Sequence, residues 1–383
     1  LGADNLKDIE HKFTLWDADV IVKPKLDMHY LYLEITSRCN LNCKMCFKQH
    51  WEDIDGDMSY DLFQKILDDA KEFPELRMVI FGGIGEPLVH PKFLEMMRDV
   101  KKRGYALGIT TNGTLLSEKV MNEIIKNQVD LIYFSMDILP TIPQNTTLGH
   151  MFSNLVDTRI RKLVKLRNSS ITGKPTVSVA TVVTKENYKE LPKMVRYLRE
   201  VGVDSILITN LLPLTEDQAK DIVYDGSVEM DGIINEIEKL ATYGIYVKLP
   251  NFKLTTERRC EFDENNAAVI RWDGNVSPCY RFLHTYYEYI FGRKKKVNAY
   301  SFGNVREKSL AEIWTSREYS KFRFVMKNYM YPSCTDCPLR ESCDFVKTTD
   351  VDCWGNSPSC ADCLWARRIV MCPVPTYIYG KFL

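Results

Sequence analysis

Cys39, Cys43 and Cys46 stand at i, i+4 and i+7 in a polar stretch, SRCNLNCKMCFKQH, directly after an apolar run. Three thiolates at this spacing suit an iron-sulfur cluster, whose usual complement of four leaves one iron here without a protein ligand. The same spacing could line one helix face with small buried side chains, but Asn40 and Asn42 within the stretch and the strand-like run before it argue against that. A zinc site completed by a distant fourth ligand is the other metal possibility. No cysteine lies between 47 and 259; then come nine: Cys260, Cys279, Cys334, Cys337, Cys343, Cys353, Cys360, Cys363 and Cys372. Two separate metal regions follow from that distribution. CxxC pairs alone could build a zinc ribbon, yet nine clustered thiols exceed one zinc site.

The elements that must position these groups are legible as alternation. Short β-branched runs at 31–36, 77–81, 106–111, 131–135, 176–183 and 205–209 are separated by amphipathic segments such as SYDLFQKILDDAKEF, KFLEMMRDVKKRG and ENYKELPKMVRYLREVG. From 31 to about 250 this predicts βα units around a parallel sheet, an α/β fold built as a partial (β/α)6 barrel of the TIM type. Function in such folds collects at the C-terminal strand ends. The cysteine stretch falls there. So does the glycine-rich FGGIGEP loop, with Gly83, Gly85 and Glu86, and so do Thr110-Thr111-Asn112-Gly113 and Ser135-Met136-Asp137. Taken alone, each could be an ordinary tight turn.

Residues 1–30 hold an extended element, DADVIVKPKL, expected to form a hairpin against the barrel and too short for an independent domain such as a peptide-binding winged helix. From 251 to 383 Cys, Gly, Pro and aromatic residues replace the βα rhythm, as in a small metal-stapled domain.

Lys and Arg balance Asp and Glu at 51 each, which leaves no global field for nucleic acid or an anionic membrane. The one dense basic run, Arg293-Lys294-Lys295-Lys296, reads as a solvated loop, or else as a docking point for an acidic partner or a phosphate-bearing substrate. No apolar run approaches the roughly 20 residues of a membrane span, and the first residues are too polar for a signal peptide. A cytoplasmic protein is expected, with thiols kept reduced rather than paired as disulfides. His50 and His90 lie near the strand-end motifs, either as plain loop histidines or as proton-transfer groups. No Ser/His/Asp or paired-carboxylate arrangement stands out, so the catalytic acid and base stay unassigned.

CxxxCxxC after a first barrel strand resembles the signature of the radical S-adenosylmethionine (SAM) superfamily. The resemblance implies that SAM chelates the open iron and is cleaved by one electron from a low-potential donor such as ferredoxin or flavodoxin. The 5′-deoxyadenosyl radical so formed then abstracts hydrogen from the substrate, while the protein orients and protects. It also assigns Gly83, Gly85 and Glu86 to the methionine amino group, and Thr111, Asn112, Ser135 and Asp137 to the rest of the cofactor, with Thr181, Thr184 and Asn210 as weaker candidates. Met45 stands where the family usually has an adenine-packing aromatic.

Cys260, thirteen residues, Gly274, four residues and Cys279, followed by Cys334-x2-Cys337-x5-Cys343, closely resemble the SPASM extension of that superfamily. This implies two auxiliary [4Fe-4S] clusters, three in all, with Cys260 and Cys279 on the nearer and Cys334, Cys337 and Cys343 on the farther. Nine residues separate Cys343 from Cys353 where the family has three, so the assignment of Cys353, Cys360, Cys363 and Cys372 stays open.

FGGIGEPLVHP, RWDGNVSPCYRFLH, SFGNVREKSLAEIW and CADCLWARRIVMCP look closer still to radical SAM maturases associated with tungsten-cofactor oxidoreductases. That implies maturation of an aldehyde:ferredoxin oxidoreductase-type enzyme or its pterin cofactor. The alternative is a peptide or protein maturase forming thioether, carbon-carbon or formylglycine products. A pure electron carrier would need neither an open iron nor the Gly85-Glu86 loop. A protein, peptide or pterin-type substrate is expected, and neither nucleic acid nor membrane.

Overall fold

The computed structural model describes residues 9–373 apart from 16, 140–146 and 243, and beyond 373 only 375, 377, 378, 381 and 382; residues 1–8 of the N-terminal segment lie outside the described residues. β1 (His11–Leu15) and β2 (Ala18–Val22) pair as an antiparallel hairpin. Strands and helices then alternate: β3 (Tyr30–Leu33), α1 (Tyr60–Asp69), β4 (Met78–Phe81), α2 (Phe93–Lys102), β5 (Ala106–Thr111) and α3 (Glu118–Lys126). β6 (Leu131–Ser135), α4 (Thr147–Asn168), β7 (Thr176–Val183), α5 (Leu191–Val201), β8 (Ser205–Asn210), α6 (Glu216–Ala219), α7 (Asp231–Ala241) and β9 (Tyr246–Lys248) follow.

Local sequence explains the boundaries. Ser59 and Ser117 cap α1 and α3 by accepting the amides of Leu62 and Val120. Leu191, Met194, Val195 and Leu198 give α5 one continuous buried stripe, and Gly202 ends it in the left-handed region at φ 90°. Strand alternation sorts the core. Leu31, Leu33, Val79, Phe81, Leu107 and Ile109 face the helices, while Tyr30, Tyr32, Met78 and Ile80 face the hollow side of the sheet. Each such buried side chain contributes about 1.5–3 kcal/mol relative to exposure.

The parallel run from β3 to β8 is the six-unit barrel expected from the sequence. The sheet continues beyond it on both sides. β9 adds parallel to β8, and β10 (Ala267–Ile270), from the cysteine-rich third, adds parallel to β3 with β11 (Val276–Ser277) antiparallel at the edge. The fold is thus a nine-stranded open sheet in which α8 (Glu261–Glu264) and β10 bring Cys260 against the hollow face.

The later segment holds the hairpin of β12 (Tyr286–Ile290) and β13 (Arg293–Val297), then α9 (Leu310–Trp314) and α10 (Arg317–Lys327). Here one sequence expectation is corrected: the basic run is not a solvated loop but β13 itself. Alternation along that strand leaves Lys294 outside and buries Lys295, whose ammonium meets Asp362 at 3.0 Å. The N-terminal hairpin is held by α9 and α10, with His11 Nε2 2.7 Å from the Thr315 carbonyl and the Arg317 guanidinium over Phe13. Trp314 Nε1 donates to the Lys25 carbonyl at 2.9 Å.

The chain finally crosses the barrel mouth. Asn210 Nδ2 donates to the Ile369 carbonyl at 3.0 Å, Met371 N donates to Thr209 Oγ1 at 2.9 Å, and Tyr32 Oη donates to the Pro373 carbonyl at 2.9 Å. These bonds fix Cys372 beside the hollow face. Among the described residues no helix is long and apolar enough to cross a membrane.

Candidate active site and cluster sites

The cysteine loop leaves β3 through a closed stem. Ser37 N donates to the Gly56 carbonyl at 3.0 Å, Met58 N to the Ile35 carbonyl at 2.8 Å, and Thr36 Oγ1 to Asp57 at 2.6 Å. Beyond the stem Cys43 is exposed, and Cys39 and Cys46 are half-buried. Burial raises all three thiols, Cys46 to about 11.

The glycine loop after β4 closes on that stem. A Cβ on Gly85 would lie 2.2 Å from the Thr36 carbonyl oxygen, and one on Gly83, at φ 109°, would lie 2.7 Å from Glu34 Cβ. Glu86 N donates to the Arg38 carbonyl at 2.8 Å. Glu86 points inward, accepting from Leu88 N at 3.1 Å, Thr111 Oγ1 at 2.8 Å and Asn112 N at 2.6 Å. Burial still pushes its carboxyl up to about 6. Three of roughly four lone-pair positions are therefore used, and a ligand amino group would find one left.

Asn112 carries the connection onward. Its side-chain amide donates to Asn40 Oδ1 at 3.0 Å and lies 3.8 Å from Cys39 Sγ. At the end of β6 Ser135 is exposed, while Asp137 accepts from Val182 N at 2.8 Å, is pushed by burial up to about 6, and acts electrostatically on Cys43. The four strand ends thus converge on one loop cluster. Thr181 does not join it, since alternation puts it on the helix-facing side with Val179 and Val183. Thr184 accepts from Glu186 N in its own turn, and Asn210 clamps the crossing segment. Met45 is half-buried in the loop.

Neither histidine singled out from the sequence reaches the hollow. His90 donates from Nε2 to the Met58 carbonyl and accepts Lys92 N at Nδ1, and His50 contacts the Lys44 carbonyl. Among the described residues His284, which spacing did not reveal, is buried against Glu34 at the end of β3. Its Nε2 is 3.0 Å from Glu34 Oε1 and its Nδ1 2.8 Å from Asp53 Oδ2, with Arg271 3.2 Å from the same Asp53 oxygen. Glu34 also accepts Ile84 N at 3.2 Å, and Tyr280 Oη accepts Gly83 N at 3.1 Å. Burial opposes a charge on His284, but Glu34 and Asp53 outweigh it and hold its pKa above the ordinary 6.5.

The nine later thiols divide into two sets. Cys260, Cys279, Cys360, Cys363 and Cys372 line one cavity under the hollow face, together with Phe262, Arg281 and Trp365. Burial drives these thiols upward, Cys279 to about 12, and they raise one another. Cys334, Cys337, Cys343 and Cys353 form the outer set: Cys353 lies within electrostatic reach of Cys334, Cys337 and Cys343, and Cys343 packs beside Cys334. Among the described residues no three His, Cys, Asp or Glu are grouped tightly enough to hold a single metal ion.

Comparison with known proteins decides the family. Residues 33–198 match the radical SAM superfamily and residues 260–338 match the SPASM iron-sulfur cluster-binding domain. The chain is 67% identical over 356 residues, 93% of its length and 100% of the relative's, to the tungsten-containing aldehyde ferredoxin oxidoreductase cofactor-modifying protein of Pyrococcus furiosus. The chain belongs to the radical SAM superfamily. It is also 24% identical to the PqqA peptide cyclase of Granulibacter bethesdensis, covering 86% of each chain. In fold it resembles Streptococcus suis SuiB bound to S-adenosylmethionine, with a TM-score of 0.56 at 18% identity, over 83% of this chain and 72% of that one.

As a radical SAM enzyme with a SPASM domain, the protein uses SAM and iron-sulfur clusters, and the residues present fit both. Twelve free thiols in three groups offer soft donors, with burial pushing Cys46 up to about 11 and Cys279 and Cys334 up to about 12. The exposed Ser135 hydroxyl and the remaining lone pair of Glu86 suit a polar ligand at the cysteine loop.

Two outcomes follow for the metal-free protein. Glu86→Ala strands three donors and should lower the unfolding free energy by about 2 kcal/mol, whereas Glu86→Gln should recover most of the loss. Urea titration checks both, and equal stability of the alanine variant would refute the pinning role. For His284→Gln the pH matters. A raised folded-state pKa gives stability that is whole below about pH 6.5 and fades as pH rises through the folded value. The gap to wild type should therefore narrow from mildly acidic to mildly alkaline solution, and a gap that stays constant would mean an uncharged imidazole.

Proposed function

We propose that this radical SAM enzyme matures a tungsten-containing oxidoreductase of the aldehyde:ferredoxin type, acting on the enzyme or its pterin cofactor. The observation that carries this is the 67% identity spanning all of the relative named for that task. Three four-iron clusters are inferred: one on Cys39, Cys43 and Cys46, one on four of Cys260, Cys279, Cys360, Cys363 and Cys372, and one on Cys334, Cys337, Cys343 and Cys353. The cavity lining and the electrostatic neighbours of each thiol support this division. Twelve free thiols suit a reducing cytoplasm, and a low-potential donor such as ferredoxin or flavodoxin would supply electrons.

Bound SAM and its cluster supply the hydrogen-abstracting chemistry; the chain supplies placement and shielding. Asn112 ties the position of Cys39 to that of Glu86, so the cysteine loop and the glycine loop after β4 are held in register. Tyr32, Tyr280 and Phe262, with rings 5.2–6.1 Å apart, wall the hollow against water. His284 is the ionisable side chain best placed to hold or move a proton there. A peptide substrate is the second possibility, favoured by the likeness to PqqA peptide cyclase over 86% of each chain.

With clusters rebuilt anaerobically, reductant and SAM should yield 5′-deoxyadenosine, and the tungsten enzyme or its pterin cofactor should stimulate release and change in mass. Stimulation by short peptides alone would displace the tungsten assignment. Exchanging Cys39, Cys43 and Cys46 for alanine should abolish release and lower iron from about twelve to about eight per chain. Cys353→Ala should selectively impair the outer cluster, and loss of the inner cluster's signal instead would overturn the division of thiols.

A further inference from the structure

The basic run on β13 does not face an outside partner. Lys295 Nζ lies 3.0 Å from Asp362 Oδ2, Arg293 Nη2 3.2 Å from the same oxygen, and Arg281 Nη2 3.3 Å from Asp362 Oδ1. Arg281 also pairs with Glu288. Side-chain exposure is 1% for Arg281 and Glu288, 0% for Lys295 and Asp362 and 15% for Arg293, so three cations face two carboxylates almost without water. Such groups are costly to bury, and replacing them by apolar side chains often leaves stability unchanged.

Their place in the fold is specific. Asp362 stands between Cys360 and Cys363, and Arg281 lines the inner cavity with both. On the other side Cys334 N donates to the Ala361 carbonyl at 2.9 Å, and the Cys334 thiol feels Asp362, Lys295 and Arg293. The network therefore spans the gap between the two thiol sets. It is also incompletely paired: Nε and Nη1 of both Arg281 and Arg293 are buried without an acceptor. Unused guanidinium donors beside sulfur sites point to anionic sulfur as the missing acceptor.

We propose that Arg281, Arg293 and Lys295 form a buried cationic bridge between the two auxiliary clusters that raises their reduction potentials. The proposal rests on the three-cluster assignment above. A four-thiolate cluster becomes more negative by one charge when it takes one electron from a donor, and a fixed positive charge nearby favours the reduced form. The excess of one cation over the paired carboxylates supplies that charge.

Charge-changing variants separate tuning from mere structure. Lys295→Met removes a cation, and Asp362→Asn removes an anion from the same contact, so both break the pair with opposite electrostatic sign. In dithionite titrations followed by electron paramagnetic resonance, Lys295→Met should disfavour reduction of the outer cluster about tenfold, a fall of about 59 mV for one electron. Asp362→Asn should shift the auxiliary potentials upward. Lys295→Arg should restore the wild-type value, and the cluster on Cys39, Cys43 and Cys46 should stay unshifted in all three. Unchanged potentials, shifts of the same sign in both variants, or failure of both to load iron would overturn the proposal. Wild-type iron well short of about twelve per chain would instead remove the three-cluster assignment beneath it.

Discussion

A thiolate buried without a positive charge against it is unfavourable, and this chain buries or half-buries ten of its twelve cysteines. Much of the architecture follows from that constraint. Cys260, Cys279 and Cys372 come from distant parts of the sequence, yet all pack against the hollow side of one sheet. They arrive there by separate devices: a strand joined to β3, a turn held against Tyr32, and a crossing segment tied to β8. These devices bring the barrel and the segment that follows it together at one wall, where the three sulfurs lie.

The cysteine loop meets the constraint differently, leaving Cys43 exposed and buttressing the rest from neighbouring strand ends. Glu86 is central to this. Its carboxylate joins the turn after β4 to the end of β5, and Asn112 carries the connection to Cys39. Gly85 lets the two loops meet at a separation no side chain would permit. Geometry at the cysteine loop is thus set by backbone and side-chain contacts from neighbouring strand ends rather than by the cysteines themselves.

The sequence was informative where a single physical signal dominated. β-branched runs and amphipathic stripes marked β5, β6 and β7 at the bounds the fold adopts, because helix-facing and hollow-facing positions must alternate. Cysteine spacing singled out the 39–46 loop as a candidate because an expected metal site constrains spacing locally. Contacts between distant segments left no such trace. Ala267–Ile270 reads as a short apolar run with nothing to say that it pairs with β3. Glu34 and His284 are 250 residues apart and meet only when the sheet is formed. Lys295 looked solvated because its partner, Asp362, is a lone acid in a cysteine-rich turn.

That last pair bears on what charge composition can say. Equal numbers of acids and bases, 51 each, exclude a large global field but place no limit on local ones. The long-range field depends on a sum, whereas a buried field depends on distance and on the absence of water between the charges. Arg281, Glu288, Lys295 and Asp362 change that sum by nothing, two bases against two acids, and it is Arg293, at the edge of the same cluster with 15% of its side chain exposed, that tips the balance positive. A neutral protein can therefore hold a directed charge beside its buried thiols, invisible from outside.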